Sequence, residues 1–372
     1  MSLKNTLLAL PVALLSLAAT AAETVTDVLG REIELELPVE QLILTEGRQF
    51  YLLASLKGDA AADYVVGWRD DLSGSDPYNY QQFSDYYPAL TSLPTFGRFT
   101  TDGFDIEQAV ALQPDAVIVN ITGDSAEPQQ EIINKLDQFG IPVIFVDFRH
   151  DVVAGVPTTF ELFGELLGEQ ARADEIIAFR QQQIDRVTDT IAQADIERPR
   201  VFIERIGGYS DDCCLTFGTE NFGRMVEMAG GTNLASEFIN GVFGQLDPEQ
   251  VLASNPEHVV VTSADWEAYV PGGRWVPVGP GADLAQAREK LAYYPTKPAY
   301  SHTRATELNN YHAIWHGFYT SPFHFVALQH LATWLQPELF SDLDPDATFA
   351  EFYQRFLPID YQPGYVVSLS GE

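Results

Sequence analysis

The sequence predicts an α/β protein of two lobes with mainly parallel sheets, bridged by a single long helix. Three observations carry this. Short apolar runs alternate with helical segments, and the alternation occurs in two separate series. Between the series, Thr158 to Ala194 holds no proline and repeats apolar residues at a helical period. A helix–turn–strand segment of the first series is echoed in the second.

The first series starts with strand Leu42 to Thr45, followed by a helix from Phe50 to Lys57 and strand Tyr64 to Gly67. A helix over Phe104 to Gln113 leads into strand Ala116 to Asn120. A helix over Glu131 to Phe139, closed by Gly140 and Pro142, leads into strand Val143 to Asp147. All-apolar strands of this length are expected where helices cover both faces of a parallel sheet. The bridging stretch carries Phe160, Leu162, Phe163, Leu166, Leu167, Ile176, Ile177, Phe179, Ile184, Val187 and Ile191 at helical spacing. Gly164 and Gly168 weaken its first part and leave open a break near Gly168. Unbroken, the helix runs roughly 50 Å at ~1.5 Å per residue, more than one lobe needs.

The second series starts after Arg198-Pro199 with strand Val201 to Glu204. Helices over Asn221 to Ala229 and Asp247 to Ser254, strand His258 to Thr262, and helices over Pro322 to Leu335 and Phe349 to Phe356 follow. The echo aligns FDIEQAVALQPDAVIV (Phe104 to Val119) with LDPEQVLASNPEHVVV (Leu246 to Val261), without gaps. The expected divisions are an N-terminal lobe over residues 23–156, the bridging helix over 157–195 and a C-terminal lobe over 196–372.

Residues 1–22 read as a signal peptide: Lys4, an apolar run from Thr6 to Ala18, then small residues to Ala22. The run is shorter than the ~20 apolar residues a spanning helix needs. No cysteine follows it to take a lipid, so a soluble periplasmic protein is expected. With 53 acidic against 21 basic residues the net charge is −32, which excludes nucleic acid as a partner. The two cysteines are adjacent, Cys213 and Cys214. In an oxidising compartment they are either free thiols, partners of another chain or a vicinal disulfide; the last is the sharper expectation.

With these elements in order, the chain resembles the periplasmic binding proteins of iron-complex, haem and cobalamin importers, the class III type with two Rossmann-like lobes joined by one long helix. The resemblance rests on the opening TDVLGREIELELP (Thr26 to Pro38), the two echoed segments, DQFGIPVIFVD (Asp137 to Asp147), VEMAGGTNL (Val226 to Leu234) and LATWLQPELFSDLD (Leu331 to Asp344). It implies a monomeric, non-enzymatic binding protein that works with an ABC transporter permease. It also implies that one glutamate per lobe docks on the permease; Glu107 and Glu249 hold matching places in the echo.

Ligands of parallel α/β lobes bind beyond the carboxyl ends of the strands. The residues read there are Arg48, Trp68, Arg98, Phe99 and Arg149 in the first lobe. In the second they are Arg205, Tyr209, Trp266, Arg304, Tyr311 and Trp315. Arginine binds oxyanions through a planar fork, so this set points to an anionic ligand with aromatic contacts. A ferric-siderophore-type Fe(III) complex is the leading expectation, with no separate cofactor; a haem-binding protein of a haem importer is the alternative within the class. His312 and His316 are four apart, on one face if the segment is helical, and are weak candidates for a metal. From another class, a secreted α/β hydrolase needs a nucleophile–base pair. None stands out, and neither a Gly-x-Ser-x-Gly elbow nor a phosphate-binding loop is present.

Overall fold

The computed structural model describes residues 22–121, 126–210 and 213–370. The signal peptide expected over residues 1–22 lies outside them except for Ala22. Among the described residues no helix is long and apolar enough to cross a membrane.

The N-terminal lobe opens with a hairpin of β1 (Glu23–Thr26) and β2 (Glu32–Leu35). Buried Asp27 closes its turn, accepting from the backbone of Leu29 and Arg31 and pairing with the Arg31 guanidinium at 2.7 Å. Then come β3 (Leu42–Leu44), α1 (Phe50–Lys57), β4 (Val65–Trp68), α2 (Leu72–Ser75) and α3 (Pro77–Tyr86). After them follow α4 (Ile106–Leu112), β5 (Ala116–Asn120), α5 (Gln130–Asp137) and β6 (Val143–Val146). The sheet is wholly parallel, in the order β4-β3-β5-β6. Every side chain of β3, β5 and β6 is buried, because helices cover both faces.

The bridging stretch is two helices, α6 (Gly155–Leu167) and α7 (Gln170–Gln193), rather than one. Gly168 ends α6 at φ +67, a left-handed conformation that glycine adopts without strain. Gly164 lets the two helices approach: a Cβ there falls 2.9 Å from that of Ala173. α7 alone spans about 36 Å and connects the lobes. Near its start Arg172 donates to Ser55 O of the N-terminal lobe; near its end Arg186 reaches Asp342.

The C-terminal lobe contains β7 (Arg200–Glu204), β8 (Leu215–Phe217), α8 (Phe222–Met228), β9 (Thr232–Asn233) and β10 (Phe243–Gln245). It continues with α9 (Pro248–Ser254), β11 (His258–Ser263), α10 (Leu284–Leu291), α11 (Arg304–Leu308) and β12 (Tyr311–Trp315). It ends with α12 (His324–Leu335), α13 (Pro345–Phe356) and β13 (Val366–Ser368). Its sheet runs β13-β12-β11-β7-β9, parallel except at β13. The echoed segments fold alike. Asp105 and Asp247 cap α4 and α9, and both helices end on a left-handed residue, Gln113 at φ 51 and Asn255 at φ 47. The helix supposed for His312 to His316 is not formed, since Tyr311–Trp315 is a strand buried between β11 and β13.

After β12 the chain turns back onto the first lobe. Tyr51 of α1 packs on Phe323 at 5.3 Å and Trp315 at 6.3 Å, and its hydroxyl donates to buried Asp76. Phe323 in turn touches Phe349, Phe352 and Tyr353 of α13. Arg180 of α7 is buried at this junction. It donates to Pro322 O at 2.9 Å and Val152 O at 3.5 Å and has no carboxylate partner among the described residues. Burial pushes its guanidinium down to about 9. A rigid helix and a shared aromatic core oppose hinge bending. Scattering from the empty and loaded protein is therefore expected to give nearly equal radii of gyration, and a large decrease on loading would contradict this.

Candidate functional site

The carboxyl end of the first sheet opens on a cleft, and each of its four strands leads to a polar side chain there. β3 leads to Glu46 and Arg48, β4 to Arg69 and Asp71, β5 ends at Asn120, and β6 leads to Arg149. Arg98, Phe99 and Thr100 come from the loop before α4. From the other lobe, the turn after β12 brings Tyr319. These residues enclose a cavity of about 490 Å³.

Arg149 donates one Nη2 to both Glu46 oxygens, at 2.7 and 2.8 Å. Arg48 stands 3.9 Å from Glu46 and 3.9 Å from Asp71, and Arg69 is 3.5 Å from Asp71. Burial pushes the Glu46 carboxyl up, but Arg149 and Arg48 outweigh it and hold it below the usual carboxylate range. Burial opposes the charge of Arg48 and Arg149, yet their anionic neighbours keep both guanidiniums above the ordinary arginine value. Arg205, across the cleft, has no carboxylate partner among the described residues, and burial lowers it. The Nε groups of Arg48, Arg149 and Arg205 are buried without a hydrogen-bond acceptor. Buried donors left open in this way are costly unless a ligand completes them.

Two asparagines tie the lobes at the cleft floor. Asn120 donates to Thr320 Oγ1 at 3.1 Å and accepts from Phe148 N. Asn221 donates to Arg149 O and Tyr319 O, at 2.7 and 2.8 Å. Tyr319 lies against the rings or guanidiniums of its neighbours on several sides. Its hydroxyl accepts from Arg48 at 3.4 Å, Arg149 lies 5.6 Å over the ring, and His316 stacks at 4.3 Å. His316 hydrogen-bonds Thr262 Oγ1 and lies edge-on to Trp266, which meets Tyr209 at 5.5 Å.

The structure thus gathers Arg48, Arg98, Phe99 and Arg149 around the cavity, while Arg205, Tyr209 and Trp266 lie on the C-terminal-lobe side, next to Phe243 and His316, and do not line it. Four other residues read from the sequence are elsewhere. Trp68 is buried in the first lobe, stacked on Tyr80. Trp315 is buried at the lobe junction. Arg304 and Tyr311 belong to the opposite end of the sheet, because β12 divides the aromatic-rich segment in which both were read. Arg304 is exposed and pairs with Glu307, and Tyr311 shares a hydrogen bond with Thr306. His312 and His316 do not meet. His312 bonds His258 at 3.1 Å and Ser368 Oγ at 2.7 Å, far along the strand. Burial pushes both imidazoles well below their usual value, and cleft arginines add to this at His316. Among the described residues no group of three or more His, Cys, Asp or Glu is placed to hold a metal ion.

Cys213 and Cys214 are joined by a disulfide. They are not among the residues lining the cavity; Cys213 approaches the Tyr300 hydroxyl, which donates to Glu204. Glu107 and Glu249 are exposed in the first turns of α4 and α9. Glu46 and Arg69 were read at strand ends but not chosen among the candidates, and Asp71, Asn120, Asn221 and Tyr319 were not singled out. Asp71 follows closely on a strand and was within reach of the strand-end rule.

Residues 60–307 match the family model described as periplasmic binding protein. The molybdate-binding protein MolA of Haemophilus influenzae is 24% identical over 98% of this chain and 99% of its own length. A cobalamin-binding protein of Halobacterium salinarum is 28% identical over 54% of this chain and 51% of its own. Among solved structures, the TroA-like periplasmic binding protein FepB from Veillonella parvula superposes with TM-score 0.83 at 26% identity, covering 93% of this chain and 99% of that one.

Proposed function

Because the chain belongs to the periplasmic binding protein family, a solute-binding family of ABC importers, we propose that its cargo is a ferric-siderophore-type iron complex. Membership removes the hydrolase alternative. The observation that carries the cargo reading is the convergence of four arginines, two of them with an open Nε, on one cavity of a chain whose net charge is −32. Such a cleft attracts an anion that the rest of the surface repels. A cavity of about 490 Å³ suits an organic chelate, since pockets for ligands of that size run from ~300 to ~1,000 Å³. A bare oxyanion is the second reading, favoured by the full-length similarity to MolA. Titration of the purified protein with an iron(III) chelate, with molybdate and with haem separates these. Saturable quenching of tryptophan fluorescence by the iron chelate alone is expected. Stoichiometric molybdenum, or a Soret band after mixing with haem, overturns the proposal.

Export by residues 1–22 and docking by Glu107 and Glu249 belong to the same proposal. Two acidic points, one per lobe, orient the protein over a two-lobed permease. Each glutamate is also favoured by the dipole of its own helix. The double variant Glu107→Gln, Glu249→Gln is expected to bind ligand normally and to slow uptake by cells severalfold or more. Wild-type uptake at equal protein levels would leave both residues with the helix role alone.

A further inference from the structure

The turn leading into α8 places an asparagine where glycine is at home. Gly223 N donates to Glu220 O at 3.1 Å and closes the turn over 220–223. At its second position Asn221 has φ 55 and ψ −123, the geometry of a type II′ turn, in which glycine is the ordinary residue. Gln113, Asn255 and Asn309 also have positive φ, but each ends a helix in the left-handed well, at ψ 53, 65 and 32. Outside that well a Cβ is costly, and residues held there gather at functional sites. Asn221 is fully buried. Were the turn alone at stake, glycine would form it with less strain.

The side chain supplies a reason for the asparagine. Its Nδ2 gives one hydrogen to Arg149 O at 2.7 Å and the other to Tyr319 O at 2.8 Å. Its Oδ1 accepts from Phe222 N at 2.9 Å, at the start of α8. Two carbonyls on one side and an N–H on the other fix which way the amide points. One residue thereby joins three segments: α8 of the C-terminal lobe, the N-terminal lobe after β6, and the turn after β12. Arg149 and Tyr319 both line the cavity, and Asn221 does not. The Arg149 guanidinium holds Glu46, and the Tyr319 hydroxyl accepts from Arg48. A shift of either carbonyl is passed to the side chain of the same residue.

We propose that Asn221 is a positioning residue of the binding site. It touches no ligand; it sets the spacing of Arg149 and Tyr319, two cavity walls from distant segments. The strained turn is kept because glycine, which suits the backbone, cannot make the ties. This rests on the cavity being the ligand site, and it holds for an iron complex and a bare oxyanion alike. A helix cap alone predicts otherwise: aspartate caps as well as asparagine, so Asn221→Asp would then be silent.

Two variants separate the roles. Asn221→Asp keeps the cap acceptor and loses both donors. Asn221→Gly loses the side chain but relaxes the turn, and it remains as the test if the buried carboxylate prevents folding. Hydrogen exchange of the empty protein is the first readout. Peptides covering 147–151 and 317–321 are expected to exchange roughly ten-fold faster in both variants, about the loss of one hydrogen bond, while those of β5 and β11 keep wild-type rates. The second readout is titration with iron(III) citrate, molybdate and haem. Whichever of these the wild type binds is expected to bind the variants roughly ten-fold more weakly. Wild-type exchange in both segments, or an acceleration spread evenly over both lobes, overturns the positioning role. So does faster local exchange with unchanged affinity, which leaves Asn221 a tie of the fold alone. Binding of molybdate or haem by the wild type overturns the iron reading instead, and Asn221 is then judged on that ligand. Exchange needs no ligand, so the first readout stands whatever the cargo.

Discussion

Arg149→Ala is expected to weaken ligand binding by about 2–5 kcal/mol, as for a buried charge pair that loses one member. The same change is expected to destabilise the empty protein by about 3–5 kcal/mol. The two losses have different origins. Affinity falls because Arg149 lines the cavity with a buried Nε that has no hydrogen-bond partner. Stability falls because Glu46 accepts both of its short bonds from Arg149, while Arg48 is 3.9 Å away. The variant leaves a buried carboxylate with only Arg48 at 3.9 Å and a long hydrogen bond from Asn120 at 3.5 Å to compensate it. This gives the loss a pH signature. In the wild type Glu46 is held below its ordinary value, so its contribution is complete above the unfolded carboxylate value of about 4.3 and fades as the pH falls through the lower folded value. In Arg149→Ala the carboxyl rises, and the deficit against wild type should be largest near neutrality and shrink in acid. Urea denaturation across pH 3–7 and calorimetric titration measure both parts. Wild-type midpoints and affinity in Arg149→Ala would show that neither interaction matters.

Tyr51→Ala is expected to cost about 3–5 kcal/mol, the range for emptying an aromatic site in a packed core. Tyr51 is fully buried and touches Phe83 of its own lobe as well as Trp315 and Phe323 of the returning chain. Its hydroxyl also donates to Asp76 at 2.7 Å, whose carboxyl burial already pushes up. Tyr51→Phe keeps the ring and is expected to cost only about 1–3 kcal/mol, the cost of one hydrogen bond to a buried carboxyl that still accepts from Asn79. The order Ala worse than Phe worse than wild type, read from urea midpoints, is the expected result. An alanine variant within about 1 kcal/mol of wild type would mean that the junction relaxes around the gap.

The parts of the fold legible in the sequence are those written in local pattern. The helix over Phe50–Lys57 and the strand over Ala116–Asn120 match residue for residue, because their apolar runs have sharp ends. The echo was legible because the same cap, turn and strand recur with the same residues at Asp105 and Asp247. What failed was decided by distant neighbours. The run from Tyr311 to Trp315 is aromatic and apolar at both periods, and only β11 and β13 on either side make it a strand. Arg304 and Tyr311 were misplaced as a consequence. The strand-end rule found Arg48, Arg149 and Arg205, since their positions follow from local order. Tyr319 had no such signal: the turn after β12 returns it to the first lobe, a choice made by Asn120 and Asn221 two hundred and one hundred residues earlier.

The return of α12 and α13 to the first lobe also bears on how the protein is made. A chain synthesised N-terminus first delivers α1 long before α13. Phe323, Phe349 and Tyr353, which build the junction around Tyr51, arrive in the last fifty residues. The first lobe must therefore wait, with apolar surface uncovered, until synthesis is almost finished, and an early stop leaves an aggregation-prone fragment and no half-protein.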